Sequence, residues 1–226
     1  VKISYSDLPM NSEKQDDYRC FDYRGNADIT FKNCTFKRAL AARGPQSNVV
    51  VDGCTFACET VEDTHKGYCY YSIPIIGSDV IRVEFINNQV TKSWGGINID
   101  WGDAEFYIAG NTFSNINCSK PAIQLSRARS VVIEKNKFTN IKDENAFRFY
   151  SGYAAGSTHI LDNEIDVDYL FHSDYVDAIN NYNDFVFKGN VISSRTNLTI
   201  GHITNLTPDQ VREHGYVVDE TLNTIE

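Results

Sequence analysis

Residues 106–113 read FYIAGNTF. Apolar Phe106 and Ile108 alternate with their neighbours, a glycine-bearing pair follows, then comes Asn111, and two positions later Phe113 closes the unit. Alternation with a period of two marks a strand with one buried face, and glycine beside Asn is turn chemistry. Six other segments share the arrangement: ITFKNCTF (29–36), VVVDGCTF (49–56), VEFINNQV (83–90), VVIEKNKF (131–138), THILDNEI (158–165) and FVFKGNVI (185–192). Aligned, they give one column of Cys34, Cys54, Asn88, Asn111, Asn136, Asn163 and Asn190. A second column, two residues on, holds Phe36, Phe56, Val90, Phe113, Phe138, Ile165 and Ile192.

Successive members of the first column are 20, 34, 23, 25, 27 and 27 residues apart. Such a period, with one insertion, suits the coils of a parallel β-helix. A single coil cannot bury its inner face, so coils must stack. Strands then lie about 4.8 Å apart with equivalent side chains above one another. Stacked Asn residues can donate to one neighbour and accept from the other, forming a ladder, and inward Phe residues stack likewise. A doubly wound α/β fold would need a helix of about 10 or more residues between successive strands, and most intervals here lack one.

These repeats resemble the right-handed parallel β-helix superfamily, the pectin-lyase-like solenoids, over roughly residues 20–195. The expected fold is all-β: one right-handed parallel β-helix (solenoid) of about 7–8 coils with a short C-terminal helix. Residues 1–19 are polar and fit no coil. Residues 196–226 read as a C-terminal cap or a linker. Within them, TPDQVREHG (207–215) reads as the helix, with Thr207 as N-cap, Pro208 at the first position, Gln210 completing a capping box and Gly215 as the stop. YVVDETL could then return as a strand. The longest gap between motifs, 57–82, is rich in Tyr and suits a groove wall, a lid or a variable loop.

The chain has 226 residues and a net charge of −9. That balance argues against nucleic-acid partners, which need a basic footprint. No stretch approaches the roughly 18 apolar residues of a membrane span. The sequence starts at Val1, which fits a processed secreted chain or a fragment, so an extracellular or cell-surface location is expected. The six cysteines contain no CxxC pair, and Cys54 and Cys58 lack a second metal-type pair, so no zinc site is assigned. Cys34 and Cys54 share a column on adjacent coils, at a spacing compatible with a disulfide and equally with two reduced thiols in small inward sites. Sequons occur at Asn33, Asn117, Asn197 and Asn205, the first at a tight turn where it reads as chance.

The β-helix enzymes that the repeats resemble place their sites on the outer face of one parallel sheet. Outward residues were therefore read from the strand preceding each motif. If Ile97 and Ile99, Ile123 and Leu125, and Phe147 and Phe149 point inward, then Asn98 and Asp100, Gln124 and Ser126, and Arg148 and Tyr150 point outward in two columns. The next coil supplies His172 or Asp174. On the preceding coil, Ile73 and Ile75 point inward and Tyr70 and Ser72 outward. Trp101 lies at the edge, and Asp103 in the turn that follows.

This set gives candidate catalytic residues Asp100, Arg148 and His172, and candidate substrate-binding residues Asn98, Trp101, Gln124, Tyr150 and Tyr70. Paired carboxylates can hydrolyse a glycosidic bond, an Arg or His base can drive β-elimination, and aromatic faces bind sugar rings. The same polar residues equally suit a solvated sheet face, and Arg127 and Arg129 suit loop charges. The DD and GHG arrangement of polygalacturonase-like hydrolases is absent. No cofactor is assigned, and Asp174, Asp177 and Asp184 leave calcium open. The expected partner is a polysaccharide or other glycan, with the oligomeric state open. The leading expectation is a carbohydrate-active protein that binds, and by extension cleaves, a polysaccharide. The alternative is a non-catalytic adhesin or phage-fibre-like segment. A trimeric fibre would need an exposed apolar stripe, and none is evident.

Overall fold

In the computed structural model, the described residues are 19–23, 27–36, 39–42, 47–57, 73–76, 80–91, 96–100, 103–116, 121–125, 128–149, 156–173, 184–201 and 222–226. Every strand pairing among them is parallel, and no helix occurs among them. The first face is a seven-stranded sheet of Ile29–Lys32, Asn48–Asp52, Arg82–Ile86, Glu105–Ala109, Ser130–Glu134, Ser157–Leu161 and Asp184–Lys188. A tight turn leads from each to a short strand on the second face, such as Thr55–Ala57 and Thr112–Ser114. The third face carries Ile73–Ile76, Ile97–Asp100 and Ile123–Leu125, then the later parts of the long strands Lys137–Phe149 and Glu164–Ser173, then Asn197–Gly201. Arg19–Tyr23 and Ala39–Ala42 pair with each other in a separate two-stranded sheet.

Period-two alternation sets what the first two faces bury. On the first face Val51, Phe85, Ile108, Ile133 and Ile160 share a register and are fully buried. On the second, Phe36, Phe56, Val90, Phe113, Phe138, Ile165, Ile192 and Ile225 form one register column. Phe36 stacks on Phe56 with ring centroids 4.7 Å apart, and Phe113 on Phe138 at 5.0 Å. Where Val90 interrupts the stack, Phe85 reaches across, 5.7 Å from Phe56 and 6.4 Å from Phe113. On the first face Thr158 stands between Val131 and Phe185 in an otherwise apolar column, is fully buried, and its hydroxyl has no hydrogen-bond partner.

The turn between the first and second faces sets the stacking. The residue before each ladder position from Cys34 to Asn190 is left-handed, with φ from 53° at Asn33 to 72° at Gly189. At Gly189 a Cβ would sit 2.0 Å from Asp162 Oδ1, so glycine fits the space there as well as easing the left-handed φ. The next residue is the ladder Asn, whose amide is saturated. Asn111 Oδ1 accepts from the Asn88 backbone N–H (2.8 Å) and Asn88 Nδ2 (3.0 Å). Asn111 Nδ2 donates to Asn136 Oδ1 (2.9 Å) and to the Phe85 carbonyl (2.8 Å). Asn136, Asn163 and Asn190 repeat this pattern. A shorter second ladder joins Asn140 Nδ2 to Asn115 Oδ1 at 2.6 Å, both residues being left-handed.

Two results go beyond the sequence reading. The column continues at Asn223, which accepts from Asn190 at 3.0 and 2.9 Å and donates to the Phe187 carbonyl at 3.1 Å. Asn197–Gly201 and Thr224–Ile225 also join the sheet, so the solenoid runs past the boundary drawn at 195. The sequence signal was Asn223-Thr224-Ile225, the ladder–x–apolar triplet, 33 residues after Asn190. Second, Cys34 and Cys54 are free thiols at the start of the ladder. The expected helix at 207–215, the strand read in YVVDETL, residues 1–18 and most of the Tyr-rich insertion lie outside the described residues.

Candidate functional site

Parallel pairing places the third-face candidates by register. Asn98 lies opposite Gln124, Gln124 opposite Arg148, and Arg148 opposite His172. Pro74 precedes this row and Gly201 follows it. Of the two candidates on the fourth coil, His172 therefore takes the place beside Arg148. Adjacent strands set these groups about 4.8 Å apart. The alternation that produces the row is strict locally, because Ile97 and Ile99, and Phe147 and Phe149, on either side of Asn98 and Arg148, are buried to within 1%.

The row is not an open, solvated face. Gln124 is only 3% exposed, and Arg148 and His172 are half-buried. Each of the three interacts with a neighbouring group. A buried amide must be hydrogen-bonded to offset its desolvation, so Gln124 is held in place rather than solvated. The row combines an amide that donates and accepts, a permanently charged planar fork, and an imidazole able to give or take a proton. Asp100 ends the strand Ile97–Asp100, two residues beyond Asn98 and opposite Ile76. Asn98 and Asp100 are placed here by backbone register alone. Asp103 is exposed in the following turn. Trp101, Tyr150, Tyr70, Ser72, Ser126, Asp174 and Arg127 lie outside the described residues. Arg129 reaches Glu105 at 3.8 Å, with 61% of its side chain exposed, an ordinary surface pair.

A second polar surface was not read from the sequence. On the second face an open depression of about 680 Å³ crosses four successive coils. Lys137, Glu164, Asp166, Ser193 and Glu226 contribute to its lining. Lys137 Nζ meets Glu164 Oε2 at 2.8 Å across one strand spacing. Arg195, in the turn beyond Ser193, binds Asp166, and its Nη1 lies 2.9 Å from Asp168 Oδ1. The Arg195 hydrogen bond holds the Asp166 carboxyl below the usual carboxylate range. Lys137 and Glu164 sit inside repeat motifs and looked like strand filler, whereas Arg195 follows the last motif. Only coil stacking brings them together.

On the first face Tyr107 donates to Glu134 at 2.7 Å, and this bond raises the phenol pKa. His159 Nε2 lies 2.8 Å from Asp184 Oδ2. Among the described residues no group of three or more His, Cys, Asp or Glu is placed to hold a metal ion. Of the acids considered for calcium, Asp184 pairs with His159, while Asp174 and Asp177 lie outside the described residues.

The first face thus carries paired charges, the second a depression in which acids outnumber bases, and the third an in-register polar row with Gln124 buried. No curated protein and no solved structure matches the chain. The profile of the family described as a right-handed β-helix region matches residues 11–197. With a ladder on every coil from Asn88 onward and a family match across most of its length, the chain belongs to the right-handed β-helix family.

Proposed function

We propose that this protein is a secreted or surface-displayed, carbohydrate-active β-helix that holds a polysaccharide across its third face. The observation that carries the reading is the in-register row of Asn98, Gln124, Arg148 and His172, with Gln124 almost fully buried. Arg148 and His172 reach solvent on adjacent coils beside the buried Gln124, offering different hydrogen-bonding groups one strand spacing apart, which suits a linear polymer of hydroxyl- or carboxylate-bearing units. Arg148 is the group for a uronate carboxylate, which its planar fork can bind through two parallel bonds. In the catalytic form of this reading, Asp100 acts as acid, base or ligand, and Arg148 neutralises or abstracts. His172 assists proton transfer, while Trp101, Tyr150 and Tyr70 stack on sugar rings.

The test is a combined binding and depolymerisation screen on neutral and uronate polysaccharides, with calcium or with chelator, reading reducing ends and unsaturated products. The reading expects binding that is lost in Arg148→Ala. Cleavage that disappears in Asp100→Asn would identify an enzyme, and the product would separate hydrolysis from elimination. A chain that neither binds nor cleaves any glycan sinks the proposal.

The second reading is a non-catalytic adhesin or fibre-like segment. It is favoured by the pairing of charges on the other two faces, Lys32 with Asp52, Arg82 with Glu84 and Lys137 with Glu164. Glycan binding without cleavage would select it.

A further inference from the structure

The ladder is chemically uneven. From Asn88 onward successive rungs are joined by amide-to-amide bonds. At the first junction the Cys34 backbone N–H instead donates to Cys54 Sγ at 3.4 Å. Sulfur is a weak acceptor, so this junction has the poorest cross-coil bond of the column. The two thiols instead make long contacts to strand carbonyls, Cys34 Sγ to Lys32 at 3.4 Å and Cys54 Sγ to Phe31 at 3.5 Å.

The two coils are nevertheless closely aligned here. Thr35 pairs with Thr55 and Phe36 with Phe56, and the two phenyl rings are 5° from parallel. In-register strands hold equivalent Cα atoms about 4.8 Å apart, inside the window of about 4.4–6.8 Å for a disulfide. The 3.4 Å contact already brings Cys54 sulfur against the Cys34 backbone. We propose that Cys34 and Cys54 are a modification site, an oxidisable dithiol that closes into a disulfide across the first two rungs of the ladder.

Exposure sets the order of the chemistry. Cys34 is half-buried and reaches solvent, whereas Cys54 is 1% exposed. With a small-molecule disulfide such as oxidised glutathione as oxidant, Cys34 thiolate attacks one glutathione sulfur. A Cys34–glutathione bond forms and one glutathione thiolate leaves. Cys54 then loses its proton and attacks Cys34 Sγ, forming the protein disulfide and expelling the second glutathione thiolate. Two electrons and two protons pass from the dithiol to the oxidant, giving two reduced glutathione molecules. Burial pushes the Cys54 thiol up to about 11, so the second step is the slow one.

The test incubates the full chain in oxidised and reduced glutathione mixtures and maps peptides without reduction. The expected product links Cys34 to Cys54, preceded by a glutathione adduct on Cys34, and its formation raises Tm. Cys54→Ser should stop at that adduct, and Cys34→Ser should leave Cys54 unmodified. Neither variant should gain Tm on oxidation. An adduct on wild-type Cys34 that never converts, or a bridge from either residue to Cys20, Cys58, Cys69 or Cys118, overturns the proposal without recourse to any variant.

Discussion

The turn between the first and second faces and the third face are built from the same stacked coils, yet they use register in opposite ways. At the turn, one residue type recurs from Asn88 to Asn223 and each rung repeats the same bonds. On the third face the residues at one register are Asn98, Gln124, Arg148 and His172, each different. Repetition serves stacking, because a buried amide is saturated only if the next coil presents an equivalent amide. Variation on the third face puts a different group on each strand at one register, with Gln124 buried and Arg148 and His172 half-buried. The ladder holds the coils in place, which leaves the third face free to vary.

The comparison breaks most sharply at the ladder. Asn136→Leu would strand the Asn111 N–H groups and the Ile108 carbonyl in the interior. Removing one partner of buried polar groups exposes their full desolvation cost, so a loss of about 4 kcal/mol is expected in urea denaturation. A loss under about 1 kcal/mol would show that the coils stack without the ladder. Next comes Phe113→Ala, which removes a ring stacked on Phe138 and should cost about 3–5 kcal/mol in the same assay.

The third face should respond in the other direction. Arg148→Ala is expected to weaken glycan binding at least tenfold, about 1.4 kcal/mol, in titration calorimetry, while retaining the fold by circular dichroism. A variant that unfolds instead would make Arg148 a structural residue and erase the contrast between the two regions.

Smaller effects sharpen the picture. Thr158→Val replaces an unpartnered buried hydroxyl with a methyl of similar shape and should stabilise by about 1 kcal/mol, read from the urea midpoint. The smallest effect is pH-dependent. Arg195 holds the Asp166 carboxyl below its ordinary range. A depressed folded-state pKa contributes stability above the unfolded value near about 4, and that contribution is lost as the pH falls through the folded value. Both side chains are 46% exposed, so solvent screening keeps the effect below about 1 kcal/mol. Arg195→Met should reduce stability at pH 7 by up to that amount and by less once Asp166 is protonated, when the Arg195 bond to the Asp166 carbonyl remains, measured as urea midpoints across the acid limb.

Much of the fold was legible because the ladder is written locally. The residues needed to read one rung, such as FYIAGNTF, lie within a single stretch, and alternation states which of them face inward. Asn223 was missed because the alternation before it is broken, with Glu220 where every other motif carries an apolar residue, and the helix read at 207–215 rests on local capping signals alone. On the third face alternation placed Asn98, Gln124 and Arg148 on one side of their strands, but the 27-residue coil left His172 and Asp174 as rivals, and pairing with Arg148 selects His172. Gln124 looked like surface and is buried, since alternation reports which side a residue faces but not what lies over that side.

By itself, the sequence determined that this chain is a stack of parallel coils joined by an Asn ladder over an aromatic column. Those features follow from period-two alternation and from the need to pair a buried amide, both properties of short segments. Only the tertiary structure decided what the motifs do not align: that His172 stands beside Arg148, that Arg195 reaches Asp166, and that four coils line one depression on the second face. Coil lengths vary from 20 to 34 residues between the first rungs, so separation along the chain does not encode register. Hydrogen bonding between coils does.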